Sequence, residues 1–357
     1  MSVSSLNSKT NYLHWLKILK LIGILAGLVL LTAACGFPST VAPTSPPSFT
    51  PLATVTFVVN TPTPFPASTD TPIPRPTITP SFTPSPVPTL IPSATLEPPI
   101  RFAIIGDYGL AGPAEADVAA LVLSWAPDFI ITTGDNNYPY GSEKTIDENI
   151  GQYYHSYIYP YLGKYGEGAD QNRFFPSIGN HDWLTRAGKP YLDYFTLPGN
   201  ERYYDFVWGP VHFFSINSDS NEPDGVGSSS IQAKWLQEKL SASTSPWQIV
   251  YTHYPPYSSG AHQSTAWMQW PFKEWGADAV ISGHDHMYER LEVDGLVYFV
   301  NGLGGGPRYL FTAPLPFSML RYRSDYGAML VKASSEKIVF QFINRKNERI
   351  DEYTLLP

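Results

Sequence analysis

The stretch Phe129-Ile-Ile-Thr-Thr-Gly-Asp135 is a short apolar run that ends abruptly in a glycine and an aspartate. Uninterrupted apolar runs of this length predict buried strands. Four other segments share the pattern of an apolar run that stops at a polar residue: Phe102-Ala-Ile-Ile-Gly-Asp107, Phe174-Phe-Pro-Ser-Ile-Gly-Asn180, Gln248-Ile-Val-Tyr-Thr-His253 and Ala279-Val-Ile-Ser-Gly-His284. Together they predict the central strands of a sheet protein whose strands end in candidate functional residues.

Helix-like stretches lie between these predicted strands, at residues 114–125 and 231–240. A hairpin and three further strands are predicted from apolar patterning at 203–216, 296–300, 328–331 and 338–343. The alternation of the two patterns predicts an α/β protein built in layers, with one core and no internal repeat.

The composition of the chain excludes several classes of protein. The 357 residues are 43% hydrophobic and 14% aromatic, which is too apolar for a disordered protein. A formal net charge of −8 argues against a nucleic-acid partner, because such proteins usually carry a basic surface. Cys35 is the only cysteine, so an intramolecular disulfide and a zinc site of several thiolates are both excluded. The oligomeric state is left open.

Residues 1–35 have the pattern of a targeting segment. Three lysines precede a short apolar run at 21–31, which gives way to Thr32-Ala33-Ala34-Cys35. This order is typical of a signal peptide, and the run is short for a membrane span. The end of the segment resembles a bacterial lipoprotein lipobox, although Thr32 replaces the usual aliphatic residue. The resemblance implies export and a lipid on Cys35 that anchors the protein to the outer face of the cell membrane. An ordinary signal peptide, or a weak anchor with an incidental cysteine, is the alternative.

Residues 36–98 differ from the rest of the chain. They contain 17 prolines and 14 threonines in 63 residues. Closely spaced prolines prevent a helix or a central strand and favour extended polyproline II. We therefore expect a disordered Pro/Thr-rich linker, a stalk that carries a single globular domain formed by residues 99–357.

The predicted strand ends carry residues of metal-binding type: Asp107, Asp135, Asn180 with His181, His253, and His284 with His286. In open α/β sheets, ligands bind at the carboxyl ends of the strands. Carboxylate, amide and imidazole ligands together suit Fe, Mn or Zn better than Ca. The set therefore predicts a metal centre with enough ligands for two ions, in which one carboxylate can bridge them.

Five short motifs in order resemble a known family: Gly106-Asp107-Tyr108-Gly109, Gly134-Asp135-Asn136-Asn137-Tyr138, Gly179-Asn180-His181-Asp182, Val250-Tyr251-Thr252-His253 and Gly283-His284-Asp285-His286. The series resembles the binuclear metallophosphoesterases and, within them, the purple acid phosphatases, including the tartrate-resistant acid phosphatases. Gly109 stands where the wider family has a metal-binding histidine, and Tyr138 replaces that ligand. The resemblance implies a four-layer α/β/β/α sandwich.

The resemblance also implies a ligand assignment. Asp107, Tyr138 and His286 would bind Fe(3+). Asn180, His253 and His284 would bind a divalent ion, which is Fe, Zn or Mn, and Asp135 would bridge the two ions. Because alternate residues of an extended chain point the same way, we expect His284 and His286 to face the centre together. Asp285 between them then points away, toward solvent or a supporting position.

Two more histidines are candidate catalytic residues. His181 and His262 can protonate the leaving group, because histidine is the usual general acid near neutral pH. The distance of His262 along the chain from His253 is similar to that of the substrate-side histidine in mammalian-type enzymes. A mobile surface histidine is the alternative for His262, and a residue that orients a ligand is the alternative for His181.

The expected function is hydrolysis of phosphomonoesters at acidic pH, as in an acid phosphatase, by attack of metal-activated hydroxide. One alternative keeps the same site and changes the substrate to a phosphodiester or a nucleotide. A second alternative is a catalytically dead lipoprotein that binds a partner at the cell surface.

Overall fold

The structure, a computed structural model, describes residues 99–357. The predicted signal segment 1–35 and the predicted linker 36–98 lie outside the described residues, and the proposed domain boundaries stay predictions. Within the described part of the chain, no helix combines the length and the apolar character needed to cross a membrane.

Six strands form the first sheet, in the order β13-β12-β11-β1-β2-β3. Their bounds are β1 Ile100–Ile105, β2 Phe129–Thr132, β3 Phe174–Pro176, β11 Gly327–Ala333, β12 Ile338–Asn344 and β13 Arg349–Leu355. The first three strands pair in parallel, and β11 pairs antiparallel with β1. The carboxyl ends of β1, β2 and β3 therefore meet at one edge of the sheet.

Seven strands form the second sheet, in the order β10-β8-β9-β7-β6-β5-β4. Their bounds are β4 Tyr204–Trp208, β5 Val211–Ser215, β6 Trp247–Tyr251, β7 Ala279–Ser282, β8 Tyr288–Val293, β9 Leu296–Asn301 and β10 Ser318–Tyr322. Strands β5, β6, β7 and β9 pair in parallel, so their carboxyl ends also share one edge.

The two sheets pack face to face through aromatic side chains. Phe102 of β1 lies edge-on to Phe213 of β5, with ring centroids 5.1 Å apart. Phe299 of β9 packs on Phe340 of β12 at 4.9 Å. These rings are fully or almost fully buried, and aromatic burial of this kind is a large share of the hydrophobic stabilisation.

Helices cover the outer faces of the sheets. The helical segments are α1 Pro113–Ser124, a π-helical turn Asp147–Gly151 that leads into α2 Gln152–Tyr154, a 3-10 turn His155–Tyr157, α3 Asn180–Trp183, α4 Lys189–Tyr194, α5 Ile231–Ala242, a 3-10 turn Ala266–Met268 and α6 Phe272–Trp275. Helix α1 contacts β11 of the first sheet. Leu236 and Leu240 of α5 bury against the second sheet, beside Val250 and Val280. The predicted four-layer α/β/β/α sandwich is confirmed.

The predicted elements agree closely with the structure. All five strands that end in candidate site residues are present, as are both helices and the hairpin that turns at Gly209-Pro210. Three strands were not predicted: β8, β10 and β13. Strand β13 alternates exposed and partly buried residues at the edge of its sheet, so it lacks the uninterrupted apolar run on which the predictions relied.

Candidate metal centre

The candidate site lies at the carboxyl ends of the parallel strands of both sheets. Asp107 follows β1, Asp135 follows β2 and Asn180 follows β3, while His253 follows β6 and His284 follows β7. Parallel pairing brings each set of strand ends to one edge, and face-to-face packing brings the two edges together. Residues up to 177 positions apart in sequence consequently make direct contacts there.

Three of these residues adopt an unusual backbone conformation. Asp107 and Asp135 have φ angles of 53°, and His284 has a φ of 68°. The left-handed region is uncommon for residues other than glycine and costs free energy, and such strain is often found at functional sites. The conformation turns each chain sharply at the strand end, which leaves the side chain directed into the centre.

Glycines before these residues allow the close approach of neighbouring segments. A Cβ atom at Gly179 would lie 2.3 Å from Oδ1 of Asp135, and one at Gly283 would lie 2.5 Å from Oδ2 of Asp107. Both distances are shorter than any real Cβ contact. The glycine at each strand end is therefore required by the packing of one candidate ligand against the next strand.

Asp107, Asp135, Tyr138 and His286 form the first half of the centre. The hydroxyl oxygen of Tyr138 lies 3.0 Å from Oδ2 of Asp135, 3.3 Å from Oδ1 of Asp107 and 2.9 Å from Nε2 of His286. Nε2 of His286 is also 3.3 Å from Oδ1 of Asp107. One ligand atom each from Asp107, Asp135 and His286 lies within 4.8 Å of the others, a spacing that could hold a metal ion.

Asn180, His253 and His284 form the second half. Nε2 of His253 lies 2.9 Å from Oδ1 of Asn180 and 3.4 Å from Oδ1 of Asp135. The ring of His284 lies beside that of His253, with centroids 5.0 Å apart. Its backbone N–H donates to both carboxylate oxygens of Asp107, at 3.1 and 2.9 Å. Asp135 therefore contacts both halves through its two oxygens.

Hydrogen bonds fix the histidine rings in one tautomer. Nδ1 of His253 lies 2.8 Å from the carbonyl oxygen of Thr133, and Nδ1 of His286 lies 2.5 Å from that of Pro307. A carbonyl oxygen can only accept, so Nδ1 carries the proton in each ring. In the neutral ring, Nε2 then keeps a lone pair that faces the centre, which is the arrangement typical of metal-binding histidines.

The electrostatics of the centre suit a cation. Burial and the nearby charges of Asp135 and Asp107 raise the pKa of the Tyr138 hydroxyl. Burial and the neighbouring rings of His253 and His262 lower the pKa of His284 far below its usual value, so its imidazole is neutral and able to coordinate. Phenolic and carboxylate oxygens this close repel one another when ionised, and positive charge between them relieves that repulsion.

His181 and His262 lie on the solvent side of the centre. The ring of His181 packs against that of Tyr138 at a tilt of 54°, with centroids 4.5 Å apart, and its Nε2 is 3.9 Å from Oδ2 of Asp135. Its Nδ1 lies 2.6 Å from the carbonyl oxygen of Pro139. The exposed ring of His262 lies over His284, with centroids 4.2 Å apart. Both histidines can therefore reach a substrate that approaches from solvent.

Sequence reasoning missed two aromatic residues of the site. Tyr309 stacks on His286, with centroids 4.1 Å apart and planes 11° apart, and it also contacts His262. Tyr254 lies edge-on to His284 at 4.3 Å. Both lie in loops, where no periodic sequence pattern indicates which side chains face the site. Their contacts are long-range and emerge only in the folded chain.

The acidic residues beside the ligands have supporting roles. Asp182 accepts hydrogen bonds from the backbone N–H groups of Gly179 and Asn136, and thereby caps α3 and holds the loop after Asp135. Burial and the charge of Asp135 raise its pKa to about 6. Asp285 points away from its flanking histidines, and of the two predicted positions it takes the supporting one rather than the one facing solvent. Its side chain is completely buried and bonded to the loop that carries His262.

The donor set fits two cations. It combines carboxylate, phenolic, amide and imidazole donors, which suit Fe, Mn or Zn, and no thiolate takes part. A carboxylate that contacts both halves is suited to bridge a metal pair. The geometry alone thus identifies a candidate metal centre of two halves joined at Asp135.

Comparisons with known proteins agree with this geometry. The sequence profile of the calcineurin-like phosphoesterases matches residues 100–288, more than half of the chain. Purple acid phosphatase 15 of Arabidopsis thaliana is 29% identical over 245 residues, covering 58% of this chain and 45% of the plant protein. Tartrate-resistant acid phosphatase type 5 of Mus musculus is 23% identical over 271 residues, covering 65% of this chain and 80% of the mouse protein.

A solved purple acid phosphatase from yellow lupin (Lupinus luteus) seeds has the same fold, with a TM-score of 0.59 and 16% identity. It covers 72% of this chain and 54% of the lupin chain. The chain therefore spans about half the length of the plant proteins it matches. On the profile match and these relatives, the chain belongs to the calcineurin-like phosphoesterase family, with purple and tartrate-resistant acid phosphatases among its homologues.

Proposed function

We propose that the protein is a binuclear metal-dependent acid phosphatase that hydrolyses phosphomonoesters. The observation that carries the proposal is the convergence of Oδ2 of Asp135, at 3.0 Å, and Nε2 of His286, at 2.9 Å, on the phenolic oxygen of Tyr138. Hydrophobic packing of a buried tyrosine does not require two carboxylates and an imidazole around its hydroxyl. The arrangement is explained if a strongly charged cation is held there.

The residues divide between two ions in this proposal. Asp107, Tyr138 and His286 would hold Fe(3+), since a phenolate is a hard anionic donor. Asn180, His253 and His284 would hold a divalent Fe, Zn or Mn ion. Asp135 would bridge the pair. The contacts of its Oδ2 with Tyr138 and of its Oδ1 with His253 support the bridging role.

When bound, such a metal pair polarises the phosphoryl group and makes hydroxide available below neutral pH. The protein's own residues supply the proton donors and hold the ligand side chains in position. His181 and His262 flank the solvent side, where a leaving-group oxygen would emerge, and each can donate a proton to it as the P–O bond breaks. The backbone N–H of His284 holds the Asp107 carboxylate in a fixed orientation.

The proposal also covers the cellular location. The lipobox-like end of residues 1–35 supports export and a lipid anchor on Cys35 at the outer face of the cell membrane. An enzyme held there on a Pro/Thr-rich stalk could harvest phosphate from organic esters that do not cross the membrane. Incorporation of labelled fatty acid into the wild-type chain, and its loss in Cys35→Ser, tests this part. Labelling that is absent from both chains would contradict the anchor.

Metal analysis combined with two substrates tests the enzymatic proposal. The purified full chain should carry about two metal ions, and it should hydrolyse p-nitrophenyl phosphate faster than bis(p-nitrophenyl) phosphate. Faster hydrolysis of the diester would favour the phosphodiesterase alternative. A chain that holds no metal and turns over neither substrate would favour a surface-binding protein.

A further inference from the structure

The ring of His262 is not held by a backbone carbonyl oxygen in the way that the rings of His181, His253 and His286 are. His181, His253 and His286 each direct Nδ1 at a backbone carbonyl oxygen, which fixes the ring itself. Among residues 99–357, the ring nitrogens of His262 make no such hydrogen bond. The exposed ring contacts the ring of His284, tilted at 4.2 Å, and that of Tyr309, edge-on at 5.3 Å, so its position depends on the backbone that carries it.

The loop from 258 to 262 is tied to two buried carboxylates: Glu289 holds Ser259, and Asp285 holds the backbone of His262 itself. Oδ1 of Asp285 accepts a hydrogen bond of 2.9 Å from the backbone N–H of His262. Oδ2 of Asp285 accepts one of 2.5 Å from the hydroxyl of Ser258. The Ser258 oxygen in turn accepts from the backbone N–H of Gly260 at 2.9 Å. The loop from 258 to 262 is thus bonded at three points around Asp285.

The loop that carries His262 also packs closely against the Asp285 side chain. A Cβ atom at Gly260 would lie 2.3 Å from Cγ of Asp285, so only glycine lets the loop approach the carboxylate this closely. Asp285 and Ser258 are almost completely buried. Charge-assisted hydrogen bonds in such surroundings are strong and costly to break.

Asp285 also lies between His284 and His286, which face the centre. The same three-residue segment therefore carries two candidate ligands on one side and the anchor of the His262 loop on the other. We infer that Asp285, with Ser258, is a positioning residue that holds His262 at a fixed place relative to the metal centre. This inference rests on the proposed function, because His262 would donate its proton to the oxygen of the alkoxide that leaves when the phosphomonoester is cleaved.

The choice of substrate gives a readout that a merely structural role would not change. An alkoxide leaving group needs a proton as the P–O bond breaks, whereas p-nitrophenolate departs without one. A misplaced His262 should therefore slow an alkyl phosphomonoester far more than p-nitrophenyl phosphate. Displacement of a catalytic group by about 1 Å can cost on the order of 100-fold in rate.

The experiment is a double-mutant cycle of Ser258→Ala and His262→Ala in the full chain, assayed on both esters. We expect each single variant to lower kcat for the alkyl ester roughly 10-fold or more, with a much smaller loss on p-nitrophenyl phosphate. In the His262→Ala background, Ser258→Ala should have almost no further effect, because both act through the same group. Asp285→Asn should behave like Ser258→Ala, at unchanged metal content.

Ser259 provides a matched control on the same loop. Its buried hydroxyl donates to Glu289 at 2.6 Å and accepts from the backbone N–H of Leu315 at 2.9 Å, and within residues 99–357 it has no bond to Asp285 or His262. Ser259→Ala should leave the ratio of the two kcat values unchanged. Equal ratios for Ser258→Ala and wild type, or additive losses in the double variant, would overturn the inference while the phosphatase proposal stands. A wild-type chain inactive on both esters would instead contradict the proposed function.

Discussion

The carboxylate of Asp135 touches both halves of the candidate centre, with Oδ2 3.0 Å from the Tyr138 hydroxyl and Oδ1 3.4 Å from Nε2 of His253. Its backbone φ of 53° and the bond from the His181 N–H to its Oδ1 hold it in that place. A single side chain that joins two ligand groups is expected to be more sensitive to substitution than any residue belonging to one group.

Asp135→Asn should therefore lower kcat by about 100-fold or more and reduce the bound metal, because an amide is a weak ligand and cannot bridge two cations well. The fold should remain, since the substitution preserves shape. Steady-state kinetics and metal analysis check the prediction. Asp193→Asn is the control, because Asp193 forms only an exposed pair with Lys189 and should leave both quantities unchanged. Full activity in Asp135→Asn would be incompatible with a bridging role.

A methyl group at Gly179 should disrupt the metal centre by displacing Asp135. Its Cβ would lie 2.2 Å from the backbone nitrogen of Asp135, so one of the two segments must move. We expect Gly179→Ala to lose metal and most of its activity, and to lower the free energy of unfolding by about 1–3 kcal/mol. Gly227→Ala is the matched control, because a Cβ there meets no atom within 4 Å. Metal titration and urea unfolding of both variants would show whether the close approach matters.

Glu115 predicts a pH dependence of stability. Its carboxyl group is completely buried, and this burial raises its pKa well above the usual value of 4.5, outweighing the opposite effect of the nearby Leu110 backbone N–H. The folded state thus binds the proton more tightly than the unfolded state. The free energy of unfolding should fall as pH rises above 4.5 toward the folded pKa, by about 1.4 kcal/mol per pH unit in that window.

Glu115→Gln removes this titration and keeps the size of the side chain. The variant should gain stability relative to wild type between about pH 5 and about pH 8. Urea unfolding of the two chains at both pH values checks the prediction, and the comparison cancels the titration of the metal centre. A difference in unfolding free energy that does not change with pH would mean that Glu115 has an ordinary pKa in the folded protein.

Much of the fold and site follows from local sequence pattern. Uninterrupted apolar runs that stop at Asp107, Asp135 and His284 predicted both the strands and the residues at their ends. Chain direction explains this success, because parallel strands bring their carboxyl ends together whatever the details of packing. Asp285 also points away from its neighbours, as alternation along an extended chain predicts, but the segment is not extended, because His284 has a left-handed backbone with a φ of 68°.

Other features depend on contacts that sequence pattern does not reveal. The partners of Asp285, the stacking of Tyr309 on His286 and the carbonyl oxygens that accept from the histidines all come from distant segments. Strand β8 had a local signal that was overlooked, since Asp294-Gly295 after it is a typical two-residue hairpin turn. The backbone carbonyl oxygens that accept from the histidines cannot be recognised in the same way, because every residue has one whatever its side chain.

The visible absorption spectrum of the iron-loaded full chain tests the central claim most directly. If the Tyr138 phenolate binds Fe(3+), the wild-type protein should show a purple or pink charge-transfer band, and Tyr138→Phe should lose it. Tyr309→Phe is the control, because Tyr309 stacks on His286 outside the ligand cluster and its removal should leave the colour intact. A band that persists unchanged in Tyr138→Phe, or iron bound by the wild-type chain without colour, would contradict the account.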